Sequence, residues 1–482
     1  MGEVIIPHSS EKGRTALRLR AGLRVAGAVL AGGLAMPEQQ DKSGKYALIL
    51  LIVGALARII LMILPHPFSG MPPIDETYTQ AAQDILRFNF HALGDRVPVY
   101  PLLVALCGLN PRAIWAVQSI LGVAASLMIF DMAFRRTRHG LFSLFVGLTC
   151  SLIPELLIYE ASVLTEALTN FLLVTSLWLI SRCDDAGESN VRYPLGLGSI
   201  VALAGLTRPL MICLAPVYYF FLVPLWPPRK ILRRETIRRS LFFALPVIVG
   251  ILGWCGFNYF NNGYFTVTTL AGENLIHQVD PYVDLAPDRF AVLRNIWVQS
   301  RQQNVDDFNH MPEDTYTRAL PEMERQTGKT EAQVRHELAS LALYLQIHHP
   351  LHCLRRAEQG WMKFWGQPDP EEIEWPKGER VGLREFVTTT AYFLTREVKA
   401  AFLVLALISI PCALFRLKAF TRLEYLIFAI ALWASIFAAF TEFGDNRRFC
   451  IPFYMMMIYT LLTRGWVWIT ATSAEDRGPA RD

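Results

Sequence analysis

The sequence predicts an all-α polytopic membrane protein of about ten transmembrane helices. The first observation behind this is composition: 52% of the 482 residues are hydrophobic and only 18% are charged, against roughly 25% charged in an ordinary soluble domain. The second is recurrence. Apolar segments at 46–64, 112–134, 141–159, 161–180, 195–206, 209–226, 240–259, 398–415, 423–440 and 449–469 each approach a bilayer-spanning length. The fifth is short. The tripeptide TRP at 207–209 fits either a break between two spans or a kink inside one longer helix, since proline is tolerated in a first turn; the two are counted here as separate spans.

Orientation follows from the basic residues of the short loops. With a cytoplasmic N-terminus, the inside loops hold RRTR at 135–138, six basic residues between Arg229 and Arg239, and Arg416, Lys418 and Arg422, whereas the turns near 160, 208 and 444 hold fewer. The chain then divides into an N-terminal cytoplasmic segment 1–45, a transmembrane module 46–260 with an outer loop 65–111, an extracytoplasmic region 261–396, C-terminal spans in 397–471 and a cytoplasmic tail 472–482. Residues 1–35 pair a basic flank with a short apolar stretch, compatible with a signal peptide, with a weak amphipathic helix, or with translation starting at Met36.

The region 261–396 reads as helical. Val334, Leu338, Leu341 and Leu345 recur at helical spacing, as do Leu351, Leu354, Trp361 and Trp365. With Trp375 these tryptophans suit the headgroup layer, so helices lying along the outer membrane surface are expected and a large separate domain is not. In the outer loop, Ile74, Tyr78, Ala81, Ala82, Ile85 and Leu86 share one face of a helix starting after Pro72 and Pro73, the pattern of an interfacial amphipathic helix.

Composition also excludes. The net charge of +4 is small and its arginines are gathered in loops, and no nucleic-acid-binding motif is present. The eight cysteines show no paired spacing, which argues against a disulfide framework or a zinc site. His348 and His349 are adjacent, so on a helix they do not share a face, and no third ligand is spaced to join them. No metal site or cofactor is therefore indicated. The absence of a glycine-rich phosphate loop points away from a nucleotide substrate.

The chemistry-bearing residues gather at the outer ends of the spans. Asp75 and Glu76 open the loop helix; an aspartate there is a natural N-cap, and a partly desolvated carboxylate can also act as a general base. In PELLIYEASVLTEAL, Glu155, Glu160 and Glu166 lie in or beside apolar sequence, where an ionisable group needs a partner or a function. Glu160 reads as solvated at the turn, and Glu166 as a functional or substrate-organising acid or a member of a structural ion pair. Arg208 in GLTRPL and Arg447 with Arg448 in GDNRRFCIP lie on the side that the positive-inside bias should deplete; they are either snorkelling residues or phosphate ligands. GENLIHQVDPYVD, with Asn274 and His277, together with Tyr78 and Glu160, is assigned to the acceptor side or to accessory roles.

These residues in this order (IDETYTQAA, then P-x-L-x-x-Y followed by LTEAL, then GLTRP, then GDNRRFCIPFYMMM) resemble the GT-C class of membrane glycosyltransferases, which includes protein O-mannosyltransferases and the lipid A aminoarabinose transferase. The resemblance implies a GT-C-like fold in the inner membrane of a bacterium. It further implies transfer of a hexosyl or pentosyl group from a polyprenyl-phosphate-linked donor to a glycan, lipid or protein hydroxyl of the cell envelope, outside the membrane and with inversion. It places the base at Asp75, with Glu76 beside it, the second acid at Glu166, and the lipid-phosphate ligand at Arg447 or Arg448. Departures accompany it. Arg-Arg-Phe stands where many relatives have Arg-Tyr, no large soluble domain follows the last span, and the WWD motif of oligosaccharyltransferases is missing. The competing class is a secondary transporter or lipid flippase. That class favours internal repeats and ionisable groups near the midplane, and neither is evident here.

Overall fold

The computed structural model describes residues 37–63, 75–90, 93, 95–183, 190–222, 233–306, 312–366, 382–417 and 419–475. Residues 1–36, Pro72, Pro73, Ile74, Lys418, Trp375, the basic residues between 223 and 232, and 476–482 lie outside them, and so do the expectations attached to them.

Among the described residues every regular element is helical. In chain order the α-helices are α1 (Pro37–Ile63), α2 (Glu76–Leu86), α3 (Val99–Leu106), α4 (Pro111–Thr137), α5 (Gly140–Ser151), α6 (Pro154–Ala161), α7 (Glu166–Cys183), α8 (Arg192–Gly205) and α9 (Leu214–Leu222). They continue with α10 (Arg234–Asn262), α11 (Ala271–Val279), α12 (Ala291–Asp306), α13 (Pro312–Thr327), α14 (Glu331–His348), α15 (Pro350–Trp365), α16 (Gly382–Leu414), α17 (Arg422–Thr441) and α18 (Tyr454–Glu475).

Among the described residues, five helices are individually long and apolar enough to cross a bilayer: α1, α4, α10, α16 and α17. The pair α5 and α6 qualifies together, bent by 49° where Pro154 restarts the helix. The other expected spans appear as shorter or broken pieces. Thr207–Pro209 is a true break: α8 ends at Gly205, Arg208 is extended (φ −148, ψ 116), and a 3₁₀ turn, Pro209–Cys213, leads into α9. The last span likewise begins as a 3₁₀ turn, Asp445–Phe453, before α18. Broken backbone at membrane depth is tolerable where protein surrounds it. That condition holds between α6 and α7 and at the start of α7, where residues 162–170 are all buried and Thr165, Glu166, Thr169 and Asn170 are enclosed by protein.

The multi-pass, all-α class is thus as expected, but two local readings change. The apolar face of α2 is mostly covered by protein: Tyr78, Ala81 and Ala82 are buried, and Tyr78 meets Tyr100 of α3 edge-on at 5.0 Å, while Leu86 at its end is half exposed. The region after α10 also builds a core of its own. Ile276, Val279, Trp297, Tyr316, Val334, Leu338, Leu341 and Leu345 bury one another between α11 and α14, so this region is a small cap with an interior. Leu351 and Leu354 are exposed while Trp365 is buried, so the expected α15 stripe splits across two faces.

The cap is seated on the bundle through α11 and α15. Gln278 donates to the carbonyl of Ala439 (2.8 Å), Trp361 Nε1 donates to Ser435 Oγ (3.0 Å), and the Arg356 guanidinium lies 3.0 Å from the Phe443 ring centroid. The turn between α17 and α18 is braced by Asn446, which donates to the carbonyls of Ala438 and Glu442 and accepts from the Gly444 amide. Gly444 takes φ 148, a conformation that a side chain would strain.

Candidate functional site

Three polar centres meet at the end of the bundle under the cap. The outer one is Asp75. As the sequence leads one to expect, it is the N-cap of α2: Oδ1 accepts from the Thr77 amide at 3.0 Å and from Thr77 Oγ1 at 2.5 Å. The other oxygen, Oδ2, accepts from Arg96 Nη2 at 2.7 Å. Arg96 also donates from Nε to Thr77 Oγ1 at 2.7 Å, and its guanidinium lies over the Tyr78 ring at 4.5 Å. A carboxylate offers about four lone pairs. Three are used, all by α2 and Arg96, so Oδ2 keeps one acceptor direction unused among the described residues. Glu76, next along, is exposed, and its carboxylate bonds to none of the described residues.

The inner centre is Glu166 at the start of α7. It is fully buried, and its Oε1 accepts from Arg448 Nε at 2.5 Å and from Arg208 Nη1 at 3.1 Å. Arg208 lies over the Phe449 ring at 4.3 Å. Oε2 is buried with no hydrogen-bond partner among the described residues. Two guanidiniums thus converge on one buried carboxylate inside a low-dielectric wall, and such paired donors suit a phosphate oxygen. The extended Arg208 and the 3₁₀ turn carrying Arg448 are the two chain breaks noted above, so the broken backbone is what aims both arginines at Glu166.

The third centre is adjacent to the second along the same 3₁₀ turn. Lys399 of α16 is fully buried, donates to the Gly366 carbonyl, and feels the charges of Glu155 and Arg447. Glu155 accepts from Thr395 Oγ1 at 2.6 Å. The adjacent arginines therefore serve different partners: Arg448 goes to Glu166 and Arg447 to the neighbourhood of Lys399.

Tyr100 joins the outer and inner centres. It touches Tyr78 on one side, its hydroxyl donates to Gln118 Oε1 at 3.1 Å, and burial, reinforced by the Glu166 charge, pushes its phenol well above the ordinary range. Gln118 passes the network on, donating to the carbonyls of Glu160 and Ser162. The amide of Val99 donates to the Leu206 carbonyl at 3.0 Å, fixing α3 two residues from Arg208.

Glu160 is not solvated at a turn. It is buried in a two-pronged pair with Arg58 of α1 (Nε to Oε2, 2.7 Å; Nη2 to Oε1, 2.6 Å), and Arg58 also reaches Ser151. This pair closes on itself and stands as a structural brace, because an arginine in the middle of a span must be neutralised by something. Asn274 and His277 lie on α11, in the cap. His277 is buried near Trp297 and Tyr316, and burial, helped by Arg356, holds its imidazole down at about 3. Neither ring nitrogen has a partner among the described residues. Arg96, Arg58 and Lys399 were not singled out in the sequence, although Arg58 and Lys399 each carried a signal: a basic residue in or beside an apolar run asks for a partner. Arg96, in GDRVP, carried none.

Residues 99–254 match the family model described as dolichyl-phosphate-mannose-protein mannosyltransferase. The matched stretch contains Tyr100, Glu166 and Arg208, and excludes Asp75, the cap and Arg448. Among solved structures, the chain is similar to the archaeal oligosaccharyltransferase AglB from Archaeoglobus fulgidus, in complex with an inhibitory peptide and a dolichol-phosphate, at 12% identity and a TM-score of 0.45. That similarity covers 91% of this chain and 52% of that one, so this chain spans about half the length of the archaeal protein. No curated protein matches the chain. Over residues 99–254 the chain is similar to the dolichyl-phosphate-mannose-protein mannosyltransferases, which bears out its resemblance to the GT-C class of membrane glycosyltransferases.

Proposed function

We propose that this protein moves a sugar from a polyprenyl-phosphate donor to a hydroxyl on a glycan, lipid or protein acceptor at the outer face of the cytoplasmic membrane, inverting the anomeric centre. The observation that carries the reading is the pairing of an Asp75 carboxylate that keeps one lone pair unused among the described residues with a buried Glu166–Arg208–Arg448 cluster, the two linked through Tyr78 and Tyr100.

The acceptor hydroxyl would donate to Asp75 Oδ2. As its oxygen bonds to the anomeric carbon, the hydroxyl proton passes to Asp75. The bond from that carbon to the phosphate oxygen breaks, and its electron pair leaves with the polyprenyl phosphate. Oriented bases of this kind contribute about 10²- to 10⁴-fold. The leaving phosphate gathers charge, which Arg208, Arg447, Arg448 and Lys399 offset; fixed positive groups aimed at developing charge are a major source of rate. Glu166 orients two of those arginines. Glu76 and Glu160 have no part in the step.

The test is Asp75→Asn. Asparagine is as good an N-cap as aspartate, and the partly exposed ion pair with Arg96 that it gives up is worth about 1 kcal/mol or less, so the variant should insert and fold with a slightly lower melting temperature while transfer falls by about 10²- to 10⁴-fold. Wild-type transfer by the variant removes Asp75 as the base. Arg447→Ala with Arg448→Ala tests the phosphate reading separately: use of the lipid-linked donor should weaken, and unchanged donor dependence sinks that reading.

A further inference from the structure

Asp75 does not hold its own position. Its Oδ2 partner, Arg96, is carried on the segment between α2 and α3, and that segment is gripped from the far side by the cap. Asp95, the residue before Arg96, accepts from Arg335 Nη1 of α14 at 2.8 Å and from Thr269 Oγ1, and its backbone carbonyl accepts from Thr268 Oγ1 at 2.5 Å. Two residues earlier, the Leu93 carbonyl accepts from Asn262 at 3.3 Å.

Arg335 is built as a fixed post. Beyond Asp95 it pairs with Glu331 at 2.7 Å and Glu273 at 3.2 Å, and donates to the Tyr316 hydroxyl at 2.9 Å. Burial works against its charge, but Asp95, Tyr316 and Glu273 outweigh that and keep it firmly protonated. Its backbone is seated as tightly as its side chain: a Cβ at Gly272 of α11 would lie 1.7 Å from the Arg335 carbonyl oxygen. Glu273 also feels Arg96, so charges alternate along Asp75, Arg96, Glu273, Arg335 and Asp95. Nothing in the transfer step needs an arginine buried in the cap with three carboxylates around it. Its geometry is explained by the loop segment it holds.

We propose that Arg335 is a positioning residue for Asp75, acting through Asp95 and Arg96, so that the cap sets the aim of the base. The proposal rests on the reading of Asp75 as the base. A base held about 1 Å out of place loses up to about 100-fold in rate, and because the donor phosphate is bound elsewhere, the loss falls on the maximal rate and not on donor affinity.

The test uses full-length protein in membranes, supplied with the polyprenyl-lipid extract of the native host as donor, comparing Asp95→Asn, Arg335→Gln, the double variant and Asp75→Asn. Asp95→Asn is the informative member, since that side chain is half exposed and asparagine keeps its shape and an Oδ1 acceptor, the atom that Thr269 and Arg335 share, while removing the charge that pairs with Arg335. The expected result is a maximal rate about 10- to 100-fold lower in each single variant, half-saturating donor unchanged, and no further loss in the double variant, as two links of one chain require. Arg335→Lys, which keeps the charge without the fork, should recover part of the rate. A lowered melting temperature with an unchanged maximal rate overturns the proposal by making the clamp a structural staple, and losses that multiply in the double variant overturn it by making the two residues independent. If Asp75→Asn is inactive while Asp95→Asn is fully active, only the clamp fails; if Asp75→Asn is active, the base reading fails and the clamp with it.

Discussion

Asp75 keeps about a fifth of its side chain in solvent and is bonded by one helix terminus and one arginine, whereas Glu166 is wholly enclosed and neutralised by two arginines from distant parts of the chain. Both are carboxylates at one end of one bundle. The difference teaches what each can do. A group that must exchange a proton with an incoming hydroxyl needs an open lone pair and modest confinement. A group that must hold two guanidiniums in place needs burial, which makes each charge indispensable to the others.

The sharpest way to break this comparison is to neutralise each acid in turn. Asp75→Asn should lose about 10²- to 10⁴-fold in transfer at a melting temperature only slightly lowered, since the ion pair with Arg96 is partly exposed. Glu166→Gln should lose about 3–5 kcal/mol of stability, because it strands Arg208 and Arg448, and thermal unfolding in detergent measures it. Exchanged signatures, with Asp75→Asn unstable and Glu166→Gln stable, would mean that the two roles have been assigned the wrong way round.

Smaller effects probe the frame around the outer centre. Gly272→Ala forces a methyl against the Arg335 carbonyl and should cost about 1–3 kcal/mol as overpacking, read as a lower melting temperature. The cap's pH dependence follows from His277. Its folded value of about 3 lies below the roughly 6.5 of an unfolded chain. Between those values the unfolded state binds the extra proton, so the His277 contribution is intact above about 6.5 and is lost at up to about 1.4 kcal/mol per pH unit as the solution is acidified. Burial pushes the carboxyls of Glu273 and Asp280 up, and they act in the opposite sense. The measurement is therefore the difference between wild type and His277→Leu, which should be the flatter of the two from pH 6.5 to 4. The smallest expected effect is at Glu76: being exposed, Glu76→Gln should change stability by no more than about 0.5 kcal/mol and leave transfer intact. A large loss of transfer there would move the base next door.

Much of this was legible in the residues. Apolar runs long enough to cross a bilayer fixed the helical class, and an aspartate before a helix-forming stretch fixed the N-cap, because both depend on local chemistry alone. The break at Thr207–Pro209 was legible as one of two options. The partner of Glu160 was not, because Arg58 lies 102 positions away and only the packing of α1 against α4 and against α5, the helix that leads into α6, brings them together. The cap's interior was missed for a related reason: helical spacing at Val334 to Leu345 identifies a buried face without saying whether lipid or protein covers it.

What the sequence determined by itself is therefore which residues could not stay alone: acids and arginines set in apolar surroundings must be neutralised, and their order along the chain marks one end of the bundle. Which charges meet was decided by the fold. Arg448 rather than Arg447 reaches Glu166, and Arg96, which stands out in no pattern, reaches Asp75. Ion pairs act over a few ångströms, and only the closing of helices far apart in the chain sets distances that short.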